Sequence, residues 1–115
     1  MRLVVRGIYT RGKLLFFSLK LINRSPLDYD VDSIRFFVAE NHKGGLLRLN
    51  ELSPEYVYDS ATLVKGFSRT SSVFVLQRMT LARHCRLQIE VLEKNGGRHL
   101  LVKASNFTLE TAKLI

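Results

Sequence analysis

Apolar and polar residues alternate with a period of two along much of the chain, the spacing of a strand with one face against a core. From Leu14 to Asn23, the residues Leu15, Phe17, Leu19 and Leu21 share one side, with Ser18 and Lys20 opposite. Cys85 to Glu93 alternates most cleanly and directs Arg86, Gln88 and Glu90 to solvent. Leu3–Tyr9, a segment carrying Ile34, Phe36 and Val38, Ser71–Gln77 and Leu100–Ala104 read as further strands. Leu46–Leu52 and Tyr56–Tyr58 flank Ser53-Pro54 and read as short edge strands, where a residue without an amide hydrogen is tolerated.

Turn chemistry separates these runs. Thr10-Arg11-Gly12-Lys13 offers a compact turn with Gly12 free to take positive φ. Ser25-Pro26-Leu27-Asp28 interrupts the alternation, Glu40 to Gly45 reads as a loop, and Asn95-Gly96-Gly97 as a hairpin turn. The tail, Asn106–Ile115, fits a short C-terminal helix or an extended arm. About seven strands at intervals of roughly 8–12 residues predict an all-β fold, an immunoglobulin-like β-sandwich. With one cysteine and no tryptophan, the disulfide-and-tryptophan hallmark is absent, so the likeness is architectural.

The 115 residues suit a single domain spanning 1–115. No apolar run approaches the roughly 18 residues of a membrane-spanning helix. The amino terminus lacks the apolar centre and cleavage site of a signal peptide, and a strand pattern begins at once. That abrupt start leads us to expect the C-terminal part of a longer protein.

Charge changes the picture more. The net charge is +8, and two segments carry no acid at all. Met1–Leu27 holds Arg2, Arg6, Arg11, Lys13, Lys20 and Arg24; Ser60–Ile89 holds Lys65, Arg69, Arg78, Arg83 and Arg86. Folded side by side, they would form one basic surface suited to an acidic protein, nucleic acid or anionic lipid.

Catalytic chemistry is sparse. His42, His84 and His99 form no HxH, HxxxH or HExxH unit, so zinc has no evident cage. His84 and Cys85 are neighbours, and strand neighbours point to opposite faces. Cys85 itself reads as a small buried hydrophobe. Asp28, Asp30 and Asp32 have the opening spacing of a calcium loop, but Ser33 and Ala39 stand where that motif needs glycine and glutamate. No phosphate loop or nucleophile elbow is present. Catalytic residues, metal ligands and cofactor sites are all expected to be absent, and the chain is expected not to be an enzyme.

Several segments together carry a resemblance. Leu3-Val4-Val5-Arg6-Gly7-Ile8-Tyr9 resembles an "LVVRGIY" opening, and Leu14-Leu15-Phe16-Phe17 an "LLFF". Leu21-Ile22-Asn23-Arg24-Ser25 fits "L-x-N-x-S", and Tyr29 to Phe36 fits "YDVDxIRF". Glu93 to His99 matches "EKNGGRH". In this order they resemble the TraN family of Bacteroides-type conjugative transposons, with its DUF4138-like conserved domain. The resemblance runs from Leu3 to His99 but departs over His42–Arg69. It implies a structural, protein-binding component of a type IV secretion-like conjugation apparatus, in the periplasm or at the outer membrane. The partners it implies are other apparatus proteins, an outer-membrane lipoprotein among them.

The candidate partner-binding residues are Tyr56 and Tyr58 at a sheet edge, with Arg69, Arg78, Arg83 and Arg86 on the basic segment. Arg6 and Arg35 are candidates to pair with Asp30 or Asp32 and pin the fold instead. The alternative function is a nucleic-acid-binding accessory protein of DNA transfer.

Overall fold

The computed structural model describes residues 1–41, 45 and 47–115. In chain order its elements are β1 (Arg2–Arg11), β2 (Leu14–Ile22), β3 (Tyr29–Asn41), β4 (Leu47–Leu52) and β5 (Tyr56–Tyr58). There follow β6 (Leu63–Val64), β7 (Arg69–Gln77), β8 (Cys85–Glu93), β9 (Leu100–Ala104), α1 (Asn106–Glu110) and β10 (Lys113–Leu114). Strand β3 runs through Glu40 and Asn41, which the sequence suggested were loop; His42, Lys43 and Gly44 of that loop lie outside the described residues. The tail forms both elements proposed for it, a one-turn helix and then a short strand that pairs in parallel with β1.

Two sheets stack. One has the order β10-β1-β2-β7-β5, the other β4-β3-β8-β9 with β6 also paired to β3. Without the tail strand, β1-β2-β7-β5 reproduces the A-B-E-D sheet of an immunoglobulin domain, and β3-β8-β9 its C-F-G sheet. The additional strand β4 extends the second sheet along β3. The fold is therefore an all-β sandwich.

The alternation explains the core. Leu15, Phe17, Leu19 and Leu21 of β2 are buried and face Leu87, Ile89 and Val91 of β8 across the sandwich. At its centre Phe36 is fully buried between Phe17, with ring centroids 5.4 Å apart, and Phe74, at 5.2 Å. Phe17 and Phe74 belong to one sheet and Phe36 to the other. This tilted trio joins the layers where an antibody domain uses tryptophan and a disulfide. Gln88 keeps the outward side that alternation assigns it, yet it is buried, with its amide donating to Glu90 Oε1 at 2.9 Å. Gly12 sits at φ +58° and Asn95 at +55°, as their turns require.

One end of the sandwich is fastened by buried polar groups. Asn23, 1% exposed, donates through Nδ2 to the carbonyls of Leu27 (2.7 Å) and Val64 (3.1 Å). Its Oδ1 accepts from the Ser25 amide and hydroxyl, at 3.1 and 2.9 Å. All its hydrogen-bonding capacity is thus used to join the loop after β2 to β6. Nearby, Gly66 lies so close to the Pro26 carbonyl that a Cβ would meet its oxygen at 2.5 Å. Asp28 accepts from the Gly66 amide at 2.8 Å, which accounts for this aspartate as a turn former.

Arg98, in the loop between β8 and β9, completes this end. It contacts Glu93 Oε2 through Nη2 at 2.6 Å and Nε at 2.9 Å, and donates from Nη2 to the Asp28 carbonyl at 2.7 Å. Its guanidinium lies over the Tyr29 ring, whose hydroxyl donates to the Arg98 carbonyl. Arg98's hydrogen bonds hold the Glu93 carboxyl below its ordinary pKa of 4.5, against the opposing effect of burial. A folded-state value below the unfolded one means that this contribution is fully present above pH 4.5 and is lost as the pH falls through the folded value. Acid melts should therefore show the wild type losing stability below about pH 4.5 more steeply than Glu93→Gln, whose side chain does not titrate. Equal slopes in the two proteins would exclude this contribution.

The expected pairing of Arg6 or Arg35 with Asp30 or Asp32 is not what forms. Arg35 points diagonally across to Glu51 on β4, 3.9 Å away, with both side chains about half exposed. A register shift between Val31 and Ser33 separates Asp32 from this row, and Arg6 belongs to the opposite sheet. Such an exposed pair adds little stability.

Candidate functional site

The outer face of the β1-β2-β7-β5 sheet carries the most distinctive surface. Because register fixes which side chains share a face, its rows follow from the pairings. Tyr9, Phe16, Val75 and Tyr56 form one row across four strands, and Ser18, Val73 and Tyr58 form part of the next. Val75 faces outward yet has no exposed surface, so its neighbours cover it. Tyr9 lies over Gly7, where a Cβ would strike its hydroxyl at 2.7 Å and its ring at 2.9 Å. Glycine at this point of β1 lets the aromatic row lie flat on the sheet. Tyr56 and Tyr58 are 61% and 55% exposed and end the rows at the β5 edge.

Cations flank this row on one side. Lys20 pairs across to Val4 and Ser71, while Ile22 lies between Arg2 and Arg69. A register shift between Val5 and Gly7 inserts Arg6 beside them. The Lys20 ammonium has a lowered pKa, first because of Arg69, then burial, then Arg6. Like charges have been brought together, and an anion placed among them would relieve the repulsion. The two acid-free segments do fold side by side here, since β1, β2 and β7 are adjacent.

The six candidate residues do not all converge. Tyr56 and Tyr58 share the aromatic face, and Tyr56 lines one groove with Lys13, Glu55, Gln77 and Arg78. Arg78 lies just beyond β7 and donates to the Gly12 carbonyl at 3.4 Å. Arg69 is at the other end of β7, with the Lys20 cluster. Arg83 and Arg86 are elsewhere: Arg86 is on the second sheet, where its guanidinium donates to the carbonyls of Arg83 and Cys85 at 2.9 and 2.8 Å. Sequence order placed these arginines together, but a strand crossover separates them.

Three features lie beyond the six candidate residues. Arg6 and Lys20 join Arg69, as the two acid-free segments folding side by side led one to expect, although neither was a candidate site residue. Phe67 is 73% exposed with φ +57°, held by its amide donating to the Ser25 carbonyl at 2.9 Å. Its place between Gly66 and Ser68 marked a turn rather than a strand, and so an aromatic outside the core. Finally, His84 and Cys85 are not held apart by strand alternation. His84 precedes β8 in a turn closed by the Cys85 amide on the Ala82 carbonyl at 2.9 Å. Donor atoms of Glu40, His84 and Cys85 all lie within 4.8 Å of one another.

The topology defines the class first: an all-β sandwich with immunoglobulin strand order and an aromatic, cation-flanked outer sheet face. The model of the family described as "Domain of unknown function (DUF4138)" matches residues 1–114, and the chain belongs to that family. No curated protein and no solved structure matches the chain. Among the described residues, no helix is long and apolar enough to cross a membrane.

Proposed function

We propose that this domain is a non-catalytic, protein-binding structural component of a conjugative transfer apparatus of the type IV secretion kind, in the periplasm or at the outer membrane. The observation that carries the binding role is the outer face of β1-β2-β7-β5, where exposed Tyr56 ends an aromatic row and exposed Tyr58 follows it toward the Arg6–Lys20–Arg69 cluster. Tyrosine and arginine are the residue types that most often anchor interfaces. A complementary partner presents apolar side chains bordered by acids. The β5 edge, and the part of β1 before Tyr9 that β10 does not pair, offer backbone groups for an added strand. The transfer-apparatus setting rests on the resemblance of the Leu3–Tyr9, Tyr29–Phe36 and Glu93–His99 segments to TraN proteins.

The test is crosslinking and co-purification of the tagged full-length protein from envelopes of a host carrying its transfer genes. Recovery of a lipoprotein or another apparatus subunit is expected, falling about tenfold in Tyr56→Ala/Tyr58→Ala, which corresponds to roughly 1.4 kcal/mol. Both side chains are more than half exposed, so the variant should remain folded. The cation cluster also favours a second reading, nucleic-acid binding. Three neutralised phosphates would give log K against log salt a slope of about −2 for single strands. Nucleic acid in the soluble fraction, with that slope and no envelope partner, would replace the first reading with the second.

A further inference from the structure

The geometry points to a divalent transition-metal site at Glu40, His84 and Cys85, of the kind that holds Zn2+. It is independent of the binding role proposed for the tyrosine face. The three residues come from two strands and a turn. Glu40 of β3 is the cross-strand partner of Cys85 at the start of β8, so their side chains share a face. The turn before β8 swings His84 back toward them, with the imidazole Nε2 3.1 Å from Glu40 Oε1. All three donor atoms lie within 4.8 Å of one another.

Zinc bonds of about 2.0–2.3 Å in a tetrahedron put neighbouring donors roughly 3.3–3.8 Å apart. The His84–Glu40 separation is already close to such an edge, and a rotamer adjustment at Cys85 would close the others. The donor set selects the metal. One sulfur, one imidazole nitrogen and one carboxylate oxygen suit zinc or cobalt, whereas magnesium and calcium need oxygen donors. A thiolate and a carboxylate also balance the charge of a divalent ion. The fourth position stays open to water or a partner's side chain.

The backbone beneath these donors is fixed without any metal. The Asn41 amide donates to the His84 carbonyl at 3.2 Å, the Cys85 amide closes the turn on Ala82, and Arg86 clamps the carbonyls of Arg83 and Cys85. A cation would thus meet a largely preformed site and pay little ordering entropy there. Arg48 stands opposite Glu40 in the ladder, and its positive charge on that side disfavours a cation there. Arg48→Ala is therefore expected to tighten metal binding.

The experiment is titration of the reduced, chelator-treated full chain with Co2+, followed by displacement with Zn2+. One equivalent should bind, with a thiolate-to-cobalt charge-transfer absorption that zinc removes and a melting temperature that rises with metal. Cys85→Ser should abolish that absorption. His84→Ala should weaken binding at least about tenfold, and its 54% exposed side chain makes the change safe for folding. Absence of a charge-transfer band in the folded wild type, or equal uptake by wild type, His84→Ala and Cys85→Ser, would overturn the assignment.

Discussion

Phe36→Ala is expected to destabilise the domain by about 3–5 kcal/mol, the range for emptying a buried aromatic position. The ring is fully buried and touches Phe17 and Phe74, so its loss leaves a cavity across the two layers. Those neighbours belong to the sheet opposite Phe36, and the strands that hold them cannot collapse inward without breaking their ladders. Domains of this size are stable by roughly 5–15 kcal/mol, so the variant would stand near its folding threshold. Its melting temperature should fall by roughly 12–20 °C. Phe36→Leu, which fills most of the space, should lose much less. Urea unfolding of both variants measures the difference, and a loss under about 1 kcal/mol for alanine would show that the trio does not join the sheets.

Asn23→Ala should cost about 2–4 kcal/mol, an unusual loss for a polar residue in a connection between strands. The substitution removes no large apolar surface. It leaves the Leu27 and Val64 carbonyls and the Ser25 amide without the partner they have now. The Leu27 carbonyl keeps the Ser25 hydroxyl at 3.1 Å and Val64 keeps its place in the β3–β6 ladder, so the cost is shared among groups at a buried site that each lose one bond. Asn23→Asp separates the two halves of the network: it keeps an acceptor for Ser25 and loses both donors. Melting curves of the two variants should rank them together, well below the wild type. A near-wild-type Asn23→Asp would mean that the acceptor side alone fastens the loop.

Much of the fold was legible because burial on one side of a strand writes itself into the chain every second residue. Strands β2 and β8 were plain for that reason, and so was Phe36 as a core residue. The short piece β6 was not legible, and of β10 only an extended tail was, not its pairing. Two residues cannot display a period, and each exists only because β3 or β1 offers it an edge. Gln88 shows the converse. Its side of the sheet was predictable, but its burial was not, because neighbours on adjacent strands determine how deep a position lies.

The candidate surface divides in the same way. That Tyr56 and Tyr58 lie on an edge and share a side followed from Pro54 and from strand alternation. That Arg69 joins Arg6 and Lys20, while Arg83 and Arg86 go to the other sheet, depends on which strands pair. Likewise, Glu40 and Cys85 are 45 positions apart, and only the β3–β8 register brings them together. Local pattern specified the strands, their inner faces and several turns, because those depend on a residue and its near neighbours. The tertiary structure decided the convergent sites, because pairing order and register are set by long-range packing that no short stretch of sequence records.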